Sequence, residues 1–146
     1  MRNKSKGVTL IELMTVVVVI SILGAIAIPS YRNYLLRAQR SDGKTALLRI
    51  QSGLEKYLVQ NGSYTTDLTS APSATPGGLG LSAVSEQGFY ALKVDLTPTG
   101  YIATAAAIAG KGQASDKRCQ TFTVTETGGK GALDNSGGDR TTECWR

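Results

Sequence analysis

From Val8 to Ile28 the chain runs through 21 residues that are almost entirely apolar, and no other feature limits its folding so tightly. At about 1.5 Å per residue in a helix, that run spans about 30 Å, the thickness of a bilayer's hydrocarbon core. It is longer than the apolar region of an ordinary secretory signal. Pro29-Ser30-Tyr31 follows it, with no small-residue cleavage pattern, so the segment reads as retained in the mature protein. Arg2, Lys4 and Lys6 precede it, and positive charge there holds the extreme N-terminus on the cytoplasmic side. The same three residues account for most of the basicity. The whole chain has 16 basic and 11 acidic side chains, a formal charge of +5. Without Met1–Gly7, 13 basic side chains face 11 acidic ones, leaving +2. The charge is mostly an address, not a binding face.

Glu12 interrupts the apolar run one turn from its start. An ionised carboxylate at mid-membrane costs about 2.5–3.5 kcal/mol on insertion scales. Two readings stay open. Near the end of the run the side chain can reach the headgroups cheaply. Alternatively it meets a partner charge, and an α-amino group created at Val8 by cleavage after Gly7 would lie one turn away, on this chain or a neighbouring one.

Histidine is absent and cysteine occurs twice, at Cys119 and Cys144. That excludes Ser-His-Asp and Cys-His nucleophile pairs, histidine-ligated metals and four-cysteine zinc sites. Behind an export-like N-terminus, two cysteines point to one disulfide in an oxidising compartment, with two free thiols as the alternative. No cofactor is implied, and nothing in the chain supports an enzyme.

Beyond Pro29 the pattern becomes one-sided. Leu47, Ile50, Leu54, Tyr57 and Leu58 recur at helical spacing among Arg49, Gln51, Glu55 and Lys56. This predicts a helix from about Ser30 to Gln60, stopped by Asn61-Gly62, with Gly43 a weak point inside it. Pro29 bends this helix without separating it from the apolar one, giving a stalk of roughly 50 residues and about 75 Å. Gly62 to Glu86, with Pro72, Pro76, Gly77, Gly78 and Gly80, reads as a long irregular loop. Tyr90, Leu92, Val94 and Leu96 then alternate as a strand. Thr97-Pro98-Thr99-Gly100 turns into Tyr101–Ile108, Lys111-Gly112 marks another turn, and Arg118–Thr127 reads as a third strand with Phe122 and Val124 inward. The glycine-rich tail Gly128–Arg146 reads as irregular.

Lys6-Gly7-Val8-Thr9-Leu10-Ile11-Glu12-Leu13-Met14, with the apolar helix directly behind it, resembles the type IV prepilin signature. A basic leader, a glycine and a glutamate five positions into the mature chain coincide with a membrane-length run. Valine stands where phenylalanine is usual, and Pro29 falls where many pilins carry a kinking proline. The resemblance implies cleavage between Gly7 and Val8 by a membrane prepilin peptidase, N-methylation of Val8, and a role in filament assembly for Glu12. It implies an α+β fold: a long N-terminal helix, its first half transmembrane, packed on a small antiparallel sheet with a C-terminal disulfide loop closed by Cys119 and Cys144. The expected domains are a leader over 1–7, a transmembrane and filament-core helix over 8–29, and a globular pilin domain over 30–146. The terminal Cys144-Trp145 is similar to PilE-like members.

The implied function is structural: a type IV pilus subunit serving adhesion, motility or DNA uptake. Its partners would be other pilin subunits, the peptidase and methylase, the inner membrane and the assembly machinery. It would sit in the inner membrane, domain in the periplasm, before reaching the surface pilus. Two alternatives share the N-terminus. One is a DNA-binding minor pilin for competence, for which Lys111, Lys117, Arg118, Lys130 and Arg140 are the candidate contacts, against solvated strand ends and turns. The other is a type II secretion pseudopilin, in which a calcium site often replaces the disulfide. Gly128-Gly129-Lys130-Gly131 lacks phosphate-loop spacing and reads as a turn. Asn61-Gly62-Ser63 fits a glycosylation acceptor but reads as the helix stop. Asp134, Asp139 and Glu143 lack calcium-ligand spacing and read as solvated acids, so no metal is expected.

Overall fold

The structure is a computed structural model that describes residues 7–146. Of the expected leader, all but Gly7 lies outside the described residues. The chain divides into two compact units after Leu35.

Helix α1 spans Leu10–Asn61 and carries Pro29 inside it. Proline cannot donate to the carbonyl one turn back, yet α1 continues through it. The apolar and one-sided stretches thus form one element of 52 residues, as the stalk reading expects. Thr9 caps the start. Its Oγ1 accepts the Glu12 amide at 3.3 Å, and its carbonyl accepts the Leu13 amide at 3.2 Å. This puts an acidic residue in the first turn, where the helix dipole favours it. Through the apolar stretch, Thr15 and Ser21 donate to the carbonyls of Ile11 and Val17, both at 2.8 Å. Their hydroxyls are thus satisfied without water, as a lipid environment requires.

In the second unit α1 ends where the sequence indicates. Asn61 is its last residue, Gly62 takes φ of 74°, and the Gly62 amide donates to Leu58 at 2.8 Å. A left-handed residue at this place satisfies orphan carbonyls, and glycine adopts it without steric cost. Four strands follow: β1 Tyr90–Leu96, β2 Tyr101–Ala107, β3 Thr121–Thr125 and β4 Lys130–Leu133. They form an antiparallel meander in the order β1-β2-β3-β4. A 3-10 turn at Gly112–Ser115 joins β2 to β3, and the short helix α2, Thr141–Cys144, follows β4.

The register explains the packing. One inward row runs Leu92, Ala105, Phe122, Ala132, and the next runs Val94, Ala103, Val124. Large side chains alternate with alanine across the sheet. The small residues of β2 leave room for Leu47, Ile50 and Leu54 of α1, which share the core with Tyr90, Tyr101 and Phe122. Tyr90, Phe122 and Trp145 form an edge-to-face ladder, with centroids 5.8 and 5.7 Å apart.

The structure corrects three expectations. The third strand is shorter than Arg118–Thr127, because Asp116 receives the amides of Arg118 and Cys119 and holds them in a turn. Leu96 is 52% exposed despite its phase, at the end of β1 where the strand enters the hairpin turn. The tail is not irregular. Ala132 pairs with Phe122 in β4 and is buried, and Trp145 Nε1 donates to the Gly131 carbonyl at 2.8 Å. Pairing partners order this segment, not a hydrophobic pattern of its own.

Candidate functional site

Two regions carry the candidate residues. The first is the N-terminal part of α1. Val8 is 71% exposed, Glu12 is exposed, and there is open space around the Gly7 backbone. Leu10, Ile11, Leu13 and Met14 are each more than half exposed. The most apolar window of α1 has a mean hydropathy of 2.6 and none of it is buried. Exposing so continuous a surface to water is unfavourable, so it requires lipid or protein around it.

The second region lies within residues 36–146. Cys119 and Cys144 form a disulfide, with Cα atoms 5.8 Å apart, joining α2 to the turn just before β3. Both are buried. Above the bridge, Arg118 Nη1 pairs with Glu143 at 2.8 Å. Arg140 Nε pairs with Asp134 at 3.2 Å, and Lys130 Nζ lies 5.2 Å from the centre of the Trp145 ring. Of the five candidate DNA contacts, two are thus neutralised and one covers an aromatic face. Lys111 and Lys117 are exposed with no carboxylate partner among the described residues.

The three acids considered for calcium are not brought together. Asp134 accepts the Ser136 and Gly138 amides, Asp139 accepts from Thr141, and Glu143 from Arg118. The backbone of Gly138 and the Ser136 hydroxyl and amide hold the Asp134 carboxyl down to about 2. Gly128 turns with φ of 76°, and Lys130 begins β4 beyond it, so this segment is a hairpin turn.

Sequence reasoning missed the polar contacts between α1 and the loops. Arg40 donates from Nε and Nη2 to the two oxygens of Asp116, at 2.6 and 3.1 Å; the Asp116 side chain is buried and that of Arg40 is 11% exposed. Asp42, buried, accepts from the Ser85 hydroxyl at 2.5 Å and the Gln87 amide at 3.1 Å. Pairs separated by dozens of residues leave no local signal. Beside them Arg37, Arg40, Lys44, Glu143, Cys144 and Arg146 line a cleft of about 300 Å³. Lys44 Nζ donates to the Arg146 main-chain oxygen at 3.1 Å and lies 5.8 Å from the ring centres of both Phe122 and Trp145. Burial, with Arg40 and then Lys130 nearby, lowers its pKa.

Comparison with known proteins agrees with this layout. A family model described as "Prokaryotic N-terminal methylation motif" matches residues 2–28, the apolar run with its basic flank. A second, "Type IV minor pilin ComP, DNA uptake sequence receptor", matches residues 29–123. "Type IV major pilin protein PilE1" of Neisseria gonorrhoeae is 38% identical over 76 residues, covering 52% of this chain and 46% of that protein. "Type IV major fimbrial protein FimA" of Dichelobacter nodosus is 39% identical over 92 residues, 63% of this chain and 52% of that one. The chain spans about half the length of the curated relatives it matches. A capped apolar helix, a four-stranded meander and a C-terminal disulfide, under a family match reaching from the helix into β3, place the chain in the type IV pilins, in the family described as type IV minor pilin ComP.

Proposed function

We propose that the chain is a structural subunit of a type IV pilus. A prepilin peptidase removes Met1–Gly7 on the cytoplasmic side, and Val8 becomes the methylated N-terminus. The apolar part of α1 then holds the subunit in the inner membrane with residues 36–146 in the periplasm. Assembly machinery moves that helix out of lipid and against other subunits in the filament core. The observation that carries this reading is the unburied, membrane-length apolar window of α1. Exchanging lipid for protein gains little hydrophobic burial. Close packing, and the pairing of Glu12 with a neighbour's Val8 amine, would set the stagger between subunits. One contact repeated along a screw axis gives an open filament. Intact mass of the protein in sheared pili tests this: a mature chain starting at Val8 with an added methyl group is expected. A chain absent from pili, or starting at Met1 or beyond Pro29, would overturn it.

A second activity, DNA capture by the same subunit, is favoured by the description of the family matched over residues 29–123. The exposed, carboxylate-free Lys111 and Lys117 are its contacts. Duplex binding whose affinity falls steeply with salt would support it. Binding that Lys111→Ala with Lys117→Ala leaves unchanged would refute that assignment.

A further inference from the structure

The cleft between α1 and α2 has more positive charge than its surroundings neutralise. Of its lining residues, Arg40 is committed to Asp116 and Glu143 to Arg118. Arg37, Lys44 and Arg146 remain; none has a carboxylate side chain within ion-pair distance among the described residues, and Lys44, which gives one N–H to the Arg146 main-chain oxygen at 3.1 Å, keeps two more donors. We infer that this cleft is a phosphate-binding site, in which the Arg37 and Arg146 guanidinium groups and the Lys44 ammonium hold one phosphate group.

Three physical arguments support the site. Guanidinium forks match the geometry of phosphate oxygens and bind them through paired N–H donors, which favours a tetrahedral oxyanion over chloride. Lys44 is partly dehydrated among cations, which lowers its pKa, so an anion placed beside it relieves a repulsion already present. The cleft, at about 300 Å³, holds a phosphate group with part of its hydration shell. Trp145 forms the adjoining aromatic surface, with Lys44 at 5.8 Å from its ring centre and Lys130 at 5.2 Å on it as well. The phosphate could be free or part of a nucleic-acid backbone. The site does not depend on the DNA reading above, because either source offers the same oxygens.

Trp145 is the chain's single tryptophan, so its fluorescence reports on the cleft. The full chain in non-ionic detergent is titrated with inorganic phosphate, against chloride at matched ionic strength. A saturable change with phosphate and none with chloride is expected. Arg37 is exposed and takes part in no ion pair among the described residues, so Arg37→Ala should fold normally. It should weaken phosphate binding about tenfold or more, the loss of one charged hydrogen-bonding partner. Lys44→Met, which keeps the apolar stem, should weaken it similarly, with unchanged circular dichroism confirming its fold. No saturable response, an equal response to chloride, or unaltered affinity in Arg37→Ala would overturn the site. A duplex oligonucleotide arm separates the sources. If the duplex displaces phosphate and Arg37→Ala lowers its salt slope by about one, the backbone phosphate is the ligand. If phosphate binds and the duplex does not, the cleft stands as a free-phosphate site and the DNA reading fails. If the duplex binds but Trp145 responds to neither, the DNA reading stands and the cleft is overturned.

Discussion

The ring of Tyr90 packs onto the backbone of α1 at Gly43, so closely that a Cβ there would lie 3.0 Å from Cδ2 and 3.1 Å from Cγ. From sequence alone Gly43 is a weak point in a helix. In the fold it is the recess that admits a fully buried aromatic ring. Gly53, ten residues along the same helix, differs: its Cβ would meet Leu79 at 3.6 Å, ordinary contact. The two glycines should therefore respond differently to alanine. Gly53→Ala should stabilise by about 1 kcal/mol through helix propensity. Gly43→Ala gains the same propensity but must displace a ring wedged against Phe122, and overpacking costs about 1–3 kcal/mol. Gly43→Ala should be neutral to destabilising and Gly43→Val clearly destabilising. Chemical denaturation of both series reads this out.

Asp116 anchors the connection between β2 and β3 to α1. Asp116→Asn keeps an oxygen for the Arg118 and Cys119 amides but leaves the largely covered Arg40 without its counter-charge. A loss of about 3–5 kcal/mol is expected. Adding Arg40→Met should recover part of it, since the unpaired charge is then gone. A double variant no more stable than Asp116→Asn would show that the pair contributes through the backbone contacts alone.

Cys119 and Cys144 close a loop with a sequence separation of 25 residues. Removing the bridge should cost about 3.5 kcal/mol through unfolded-state entropy. Because β4 is hydrogen-bonded to β3 and tied to Trp145, Cys119→Ser should lower the melting temperature while the β4 amides stay protected. Loosening should concentrate in 141–146. Hydrogen exchange of the reduced and oxidised protein distinguishes this from loss of the whole tail.

Acid should weaken the second unit in a defined window. The Asp67 carboxyl, held by Ser70 and Thr69, and the Asp134 carboxyl, held by Gly138 and Ser136, both lie at about 2 against an ordinary 3.8. A depressed folded pKa stabilises above the unfolded value and loses that contribution as pH falls through the folded one. Stability should therefore decline between about pH 4 and pH 2. Asp67→Asn and Asp134→Asn should each flatten that decline while lowering stability at neutral pH, read from melting temperatures across the range.

Glu12 is a test of assembly, not of folding. It is exposed at the first turn, and its amide, not its side chain, bonds to the Thr9 cap. Glu12→Leu should leave membrane-bound, folded subunits that enter pili slowly or not at all. Normal incorporation, measured in sheared filaments, would reduce Glu12 to a tolerated boundary charge.

Some of this protein is written locally. The apolar run, the Asn61-Gly62 stop, the alternation of β1 and the hairpin at Thr97–Gly100 each depend on residues within a turn or two, so their physics is visible in the order of side chains. The paired cysteines were legible as well, because only two exist and they follow an export-like N-terminus. Other features had no local mark. Lys130-Gly131-Ala132-Leu133 holds too little apolar area to announce a strand, and it becomes β4 only because β3 offers an edge and Trp145 a donor. Gly43 became a recess only when Tyr90 arrived from 47 positions further along. The Arg40–Asp116 pair and the cleft of Arg37, Lys44 and Arg146 join residues 76 and more positions apart. Their energies come from burial and proximity, and those exist only once helix and sheet have met.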